Sequence, residues 1–315
     1  MIGDLVVTER DVHRLFAWNS LRDSSKSTSW FTGYLFILNT KYVNIDVGCK
    51  MSRKKRVMKE ELKSGKILLG MGVESENTDF VEIAAMVGFD FIYLDQEHTT
   101  TSWETLKRLV IAADLYDTPV IVRVEKNDEV AIRKALEMGV QGILVPHVCT
   151  KEETIKAIQA AKFPPKGVRG AASNVRSAGF GARDWKNYVP EANSDVLVSI
   201  MFEDKKAMEN VDEILSVDGL DAVCYGPVDY AFSKGLGEKG EFRGHPLIEK
   251  DFDILIKKCK KRGIYIQYTP VPQDYVTVKE AIDRGVSFLF IGSDIVAFIQ
   301  QCKNLMDNVY NKVKE

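Results

Sequence analysis

Four polar residues, Asp95-Gln96-Glu97-His98, close the run Phe-Asp-Phe-Ile-Tyr-Leu from Phe89 to Leu94. That run is short, β-branched and aromatic, so it reads as a buried strand. Two carboxylates and an imidazole therefore stand together at a strand's C-terminal end, where α/β proteins keep their chemistry. An imidazole titrates nearest neutral pH among side chains and suits proton transfer, while carboxylates orient it or hold a hard cation. A capped strand end carrying a surface histidine accounts equally for these four residues.

Similar positions recur along the chain. Arg123 lies within or just after PVIVRV, His147 at the end of GILVPHV, Glu203 after VLVSIMF, and Asp229 in the turn GPVD after AVCY. Each has a plain structural reading: Glu203 and Asp229 as helix caps, Arg123 as a partner for Glu125 or a neighbouring acid, His147 as a satisfied core histidine. Taken together they describe a site. Glu203 and Asp229, on adjacent strands, can bind one hard divalent cation and leave positions open for water and substrate. A nearby arginine suits a 2-oxo acid, because a guanidinium stabilises charge on an enolate oxygen. Oxygen ligands without a Cys/His cluster favour a magnesium-like ion over zinc.

The elements that must position these residues alternate from Ile67 onward. Strands read at Ile67–Val73, Phe89–Leu94, Pro119–Val124, Gly142–Val148, Val196–Phe202, Ala222–Tyr225, Ile264–Tyr268 and Phe288–Ile291. Helices read at Asp79–Val87, Trp103–Leu115, Glu129–Met138, Glu152–Ala161, Lys205–Leu215, Ile248–Lys261, Val276–Asp283 and Ile295–Val313, with an irregular section at Phe163–Asn193. Eight strands each followed by a helix, over roughly 250 residues, match a single (β/α)₈ TIM-type barrel of α/β class. A doubly wound open sheet is the alternative, but no G-x-G-x-x-G or Walker sequence opens a helix. Residues 1–50 lack this alternation and read as an N-terminal extension, either upstream sequence or an accessory segment. The barrel domain is expected over residues 51–315.

The 315 residues carry a net charge of −2, with 45% hydrophobic and 28% charged residues. That balance gives no electrostatic reason to expect nucleic acid or an anionic membrane as partner. Five scattered cysteines, none in a CxxC pair, fit a reducing compartment without disulfides. With no long apolar run and no secretion signal, the expected location is the cytoplasm.

LKSGKILLGMG, GFDFIYLDQEHT, PVIVRVEKND, ILVPHV, FPPKGVRG, the Glu of IMFED, and YGPVDYA resemble, in order and spacing, the class II metal-dependent pyruvate aldolases of the HpcH/HpaI type. The resemblance runs from about Leu62 to about Val309. It implies a barrel of the phosphoenolpyruvate/pyruvate-binding type and a divalent cation, Mg²⁺, Mn²⁺ or Co²⁺. The implied reaction is reversible retro-aldol cleavage of a 4-hydroxy-2-oxo acid, a 2-keto-3-deoxy-sugar acid or a 4-hydroxy-2-oxo diacid, to pyruvate and an aldehyde. His98 matches the proton acceptor, Arg123 the enolate-steadying arginine, and Glu203 and Asp229 the metal ligands. Glu137 falls where the resemblance places an acid that tunes the catalytic imidazole, and Asp95 and Glu97 support His98 or metal-bound waters. Gly226, Val228 and Asp229 would hold the substrate carboxylate. Met201 replaces a glutamine that commonly binds the oxo acid, and Gln96 replaces a small residue. The partners implied are a small-molecule 2-oxo acid and an aldehyde.

Lysine Schiff-base chemistry is the mechanistic rival, although Lys126 lies in a charged turn. A related lyase acting on a CoA thioester or dicarboxylic acid, as in citrate-lyase-like proteins, is a second reading, with Arg169, Arg176 and Arg183 available for phosphates. A degenerate, non-catalytic keto-acid-binding barrel is a third, motivated by Met201 and Gln96. The resemblance also suggests a homo-oligomer, often a hexamer, touching through the last helix and the loop near Arg169–Asp184.

Overall fold

The computed structural model describes residues 56–314 except Glu241, together with the backbone of two short strands at Tyr34–Leu38 and Lys41–Ile45. The chain divides into two compact units, Met1–Lys54 and Lys55–Glu315. In the first, the two strands pair antiparallel, from Tyr34 opposite Ile45 to Leu38 opposite Lys41. The rest of the expected 1–50 extension lies outside the described residues.

The second unit is the barrel. Its strands are β1 (Leu68–Val73), β2 (Phe91–Asp95), β3 (Val120–Arg123), β4 (Gly142–Val145), β5 (Leu197–Phe202), β6 (Ala222–Tyr225), β7 (Tyr265–Tyr268) and β8 (Phe288–Ser293). Neighbours in sequence are neighbours in space, every pair is parallel, and β8 returns to β1 to close the ring. A short helix, α1 (Met58–Lys63), precedes β1. The connecting helices include α2 (Thr78–Val87), α3 (Trp103–Asp114), α4 (Glu129–Glu137), α5 (Lys151–Ala161), α6 (Trp185–Asp195), α7 (Lys205–Glu209), α8 (Val211–Ile214), α9 (Pro227–Ser233), α10 (Pro246–Arg262), α11 (Tyr275–Arg284) and α12 (Asp294–Leu305).

Alternation along each strand sorts side chains into two cores. Ile92, Leu94, Val122, Val198, Ile200 and Phe202 face the helices. Phe91, Ile121, Leu144, Leu197, Met201 and Phe288 fill the barrel interior. Gly70 is an interior position emptied for Phe91, since a Cβ there would lie 2.2 Å from the ring. That ring packs edge-on against Phe288, with centroids 4.5 Å apart.

The expected alternation matches the observed one, with local differences, of which two are instructive. The section expected to be irregular contains α6, whose period is masked by Pro190 and polar neighbours. Tertiary contacts hold it: Tyr188 packs on Phe163, and the Asn193 side chain accepts from and donates to the Phe163 backbone. The single helix expected at Lys205–Leu215 is two, broken at Asn210, whose side-chain amide donates to the Cys149 carbonyl at 2.8 Å.

Because Phe91 occupies the space at Gly70, Gly70→Ala is expected to overpack the barrel floor. The unfolding free energy should fall by about 1–3 kcal/mol, read as a lower urea midpoint with an unchanged slope.

Candidate active site

β2 and β3 end side by side, with Asp95 opposite Arg123 in the register. The inward-facing carboxylate of Asp95 accepts from Arg123 Nε at 2.8 Å and from Nη2 at 2.5 Å, a two-point ion pair that is nearly dehydrated. Asp95 Oδ1 also accepts the Glu97 amide N–H at 2.9 Å, while Gln96 N–H donates to the Arg123 carbonyl. The polar stretch after β2 is thus folded onto the end of β3. Glu97 Oε2 lies 2.9 Å from Arg123 Nη1, so one guanidinium serves two carboxylates. Burial opposes the Arg123 charge, but neighbouring Tyr93, Asp95 and Glu97 outweigh it and raise the pKa further.

Glu203 follows β5 and is only 3% exposed. It does not cap the next helix; Asp204 does, accepting the Lys206 N–H at 2.7 Å. Glu203 is thereby left to face the barrel mouth. Its Oε1 accepts the His147 backbone N–H at 2.8 Å and lies 3.3 Å from His147 Nδ1. His147 Nε2 lies 2.9 Å from Glu97 Oε1. The His147 backbone is left-handed, φ 54°, a conformation uncommon outside glycine that turns its N–H toward Glu203. His147 is not the satisfied core histidine expected from its apolar neighbours. Its side chain is 70% exposed and lies between two carboxylates.

Among the described residues, ligand atoms of Glu97, His147 and Glu203 lie within 4.8 Å of one another. Asp229 is not in that trio. It occupies the first turn of α9, four residues past β6, exposed at the same end of the barrel as Glu203. Burial raises the Glu203 pKa; the His147 N–H and imidazole oppose this, whereas Glu97 and Asp229 reinforce it. The Glu97 and Glu203 carboxylates with the His147 imidazole form a donor set that fits a divalent cation.

Gly226, before α9, packs on this group: a Cβ there would sit 3.0 Å from Glu203 Cβ and 3.0 Å from the Met201 methyl. Val228, the next helix residue but one, is 37% exposed. His98 is mostly exposed, with Nε2 3.7 Å from Glu97 Oε2. Glu137, expected to tune the His98 imidazole, is not part of this group within the single chain. It ends α4, at the end of the barrel where β4 starts, and its charge acts on Arg169.

Two acids of the rim were not among the expected site residues, although Glu74 directly follows the first strand and so carried the strand-end signal. Glu74, after β1, has its pKa raised by burial and by the charge of Asp294, with Asp95 adding to the effect. Asp294, after β8, accepts the Glu74 and Ser75 backbone N–H groups at 2.9 and 3.0 Å and ties the first strand to the last. Cys224 faces the interior, but burial pushes its thiol up to about 12, so it offers no nucleophile.

The three arginines considered for phosphate binding are engaged elsewhere. Arg169 is buried over the Phe163 ring, Arg176 pairs with Asp114 at 2.5 Å, and Arg183 pairs with Glu191. Among the described residues, no helix is long and apolar enough to cross a membrane.

The sequence profile of the HpcH/HpaI aldolase/citrate lyase family matches residues 68–301, and the chain belongs to that family of carbon–carbon lyases. A 2-keto-3-deoxy-L-rhamnonate aldolase of Escherichia coli (strain K12) is 29% identical over 241 residues, 76% of this chain and 88% of that one. An HpcH/HpaI aldolase from Desulfitobacterium hafniense DCB-2 superposes with TM-score 0.75 at 26% identity, covering 80% of this chain and 96% of that one. The citrate synthase SbnG shares the fold, with TM-score 0.74 at 24% identity, covering 82% of this chain and 99% of that one.

Glu203 supplies a pH test. Its pKa is raised in the folded state, so the folded protein holds the proton more tightly and loses stability as pH rises through that pKa. Glu203→Gln removes this ionisation. Without added metal, the melting temperature of the variant relative to wild type is expected to increase from pH 4.5 to pH 7, as scanning calorimetry would measure. A pH-independent difference would contradict the raised pKa.

Proposed function

We propose that the protein is a metal-dependent aldolase that reversibly cleaves a 4-hydroxy-2-oxo acid, a 2-keto-3-deoxy-sugar acid or 4-hydroxy-2-oxo diacid, to pyruvate and an aldehyde. The observation that carries this reading is the buried Glu203 carboxylate, grouped with His147 and Glu97 beside an arginine locked by Asp95. Glu203 and Asp229, with His147 and Glu97 adjoining, would hold a divalent cation such as Mg²⁺, Mn²⁺ or Co²⁺. Such an ion supplies Lewis-acid polarisation of the 2-oxo group.

The chain's own residues account for the remaining steps. His98, exposed at the rim, accepts the C4 hydroxyl proton. The C4 oxygen then forms the aldehyde carbonyl as the C3–C4 bond breaks, and the bond pair passes into the pyruvate enolate. Arg123, held in place by Asp95 and Glu97, faces the developing negative charge on the C2 oxygen without having to reorganise. A proton delivered to C3 completes pyruvate, and His98 gives up its proton to solvent for the next turnover. The backbone at Gly226 and Val228 flanks the substrate carboxylate, and Met201 lines the floor.

The reading is tested by pyruvate release from 4-hydroxy-2-oxo acids. EDTA should abolish it and Mn²⁺ or Co²⁺ restore it. His98→Ala should lower kcat by about 10²- to 10⁴-fold. A borohydride-trapped pyruvate adduct on the protein would instead establish Schiff-base chemistry and refute the metal route.

The same reading includes a homo-oligomer. α12 and its continuation expose Ile295, Phe298, Ile299, Val309 and Val313, an apolar stripe suited to association. Phe298→Asp is expected to shift the mass measured by light scattering toward the monomer. An unchanged mass would place the contact elsewhere.

A further inference from the structure

Gln267 is fully buried, and neither its amide oxygen nor its amide nitrogen has a hydrogen-bond partner among the described residues. Its neighbours on β7, Ile266 and Tyr268, face the helices, so alternation turns Gln267 into the barrel interior. The register places it level with Cys224 on one side and Phe288 on the other, and Cys224 is level with Met201. These four residues form one arc of the interior. Glu203 and Gly226 stand two positions further along β5 and β6, at the mouth. Gln267 is thus the one amide in an arc otherwise made of a thioether, a thiol and a phenyl ring.

An unpaired buried amide is costly, and a leucine or methionine of similar size would avoid the cost. The groups around the mouth indicate what can repay it. Arg123 is already engaged by Asp95 and Glu97 and has few donors left for a ligand. A small oxo-acid anion entering this mouth therefore gains from an uncharged donor below it, which Met201 and Phe288 cannot supply.

We propose that Gln267 is a substrate-binding residue whose amide donates to an oxygen of the bound 2-oxo acid from the barrel floor. This rests on the aldolase reading. In that setting Gln267 recognises the oxo-acid half common to every substrate, and leaves the aldehyde half to the rim.

The test is calorimetric titration of pyruvate, and of oxalate as a planar enolate mimic, into the full chain loaded with Mn²⁺. Gln267→Met and Gln267→Leu should each weaken both ligands by about tenfold to a hundredfold. Mn²⁺ affinity should stay unchanged, and the melting temperature should hold or rise as the unpaired amide is removed. In the condensation direction, KM for pyruvate should increase more than kcat falls. Adding Met201→Gln to either variant returns an amide to the same arc and should restore part of the affinity. Wild-type pyruvate affinity in both variants would overturn the role of Gln267 and leave the aldolase reading standing. A Mn²⁺-loaded wild type that binds neither ligand would overturn both.

Discussion

The Arg123–Asp95 ion pair is the constraint on which the rest of the site depends. Taking a guanidinium out of water is expensive, and the expense is offset only when its donors meet well-placed acceptors. Asp95 meets two of them across the β2–β3 ladder, and Glu97 meets a third. Because Asp95 also accepts the Glu97 backbone N–H, the interaction that neutralises the arginine folds the following polar stretch over the barrel mouth. The loop that carries Glu97 and His98 is therefore held by electrostatics rather than by apolar packing.

The same arrangement leaves the mouth with more acid than base. Arg123 is shared by two carboxylates, and Glu203 stands in a buried position beside a third negative neighbour, Asp229. His147 relieves part of this, through a backbone N–H and a side chain lying between Glu97 and Glu203. It does so from a left-handed backbone conformation, which costs on the order of 1 kcal/mol or more for a side chain of this kind. Stability is thus given up locally to keep anionic oxygens together, the arrangement expected where a cation belongs.

Capping explains how the carboxylates divide between structure and chemistry. At α4, α7 and α11 an aspartate just before the helix accepts a first-turn backbone N–H, and Ser102 and Thr150 do the same at α3 and α5. With Asp204 capping α7, Glu203 one residue earlier is not needed there and can turn inward. Neighbouring acids with the same charge therefore have different roles, set by the direction in which the strand's last residue points.

The linear chain was enough to determine the barrel. Alternating apolar strands, amphipathic helices and capping residues are local signals, and the observed ring of eight parallel strands follows them. The strand-end residues Asp95, Glu97, Arg123, Glu203 and Asp229 were legible for the same reason, because closing the ring brings every strand's end to one rim. Other features depended on tertiary contacts. α6 was hidden by Pro190 and is held by Phe163, and only the folded chain shows that Glu137 ends its helix away from the Glu97–His147–Glu203 group. Local sequence also could not show that His147 swings out to meet two acids, or that Gln267 faces inward without a protein partner. Pairings across strands depend on register and on which groups water is excluded from, and both exist only once the barrel has closed.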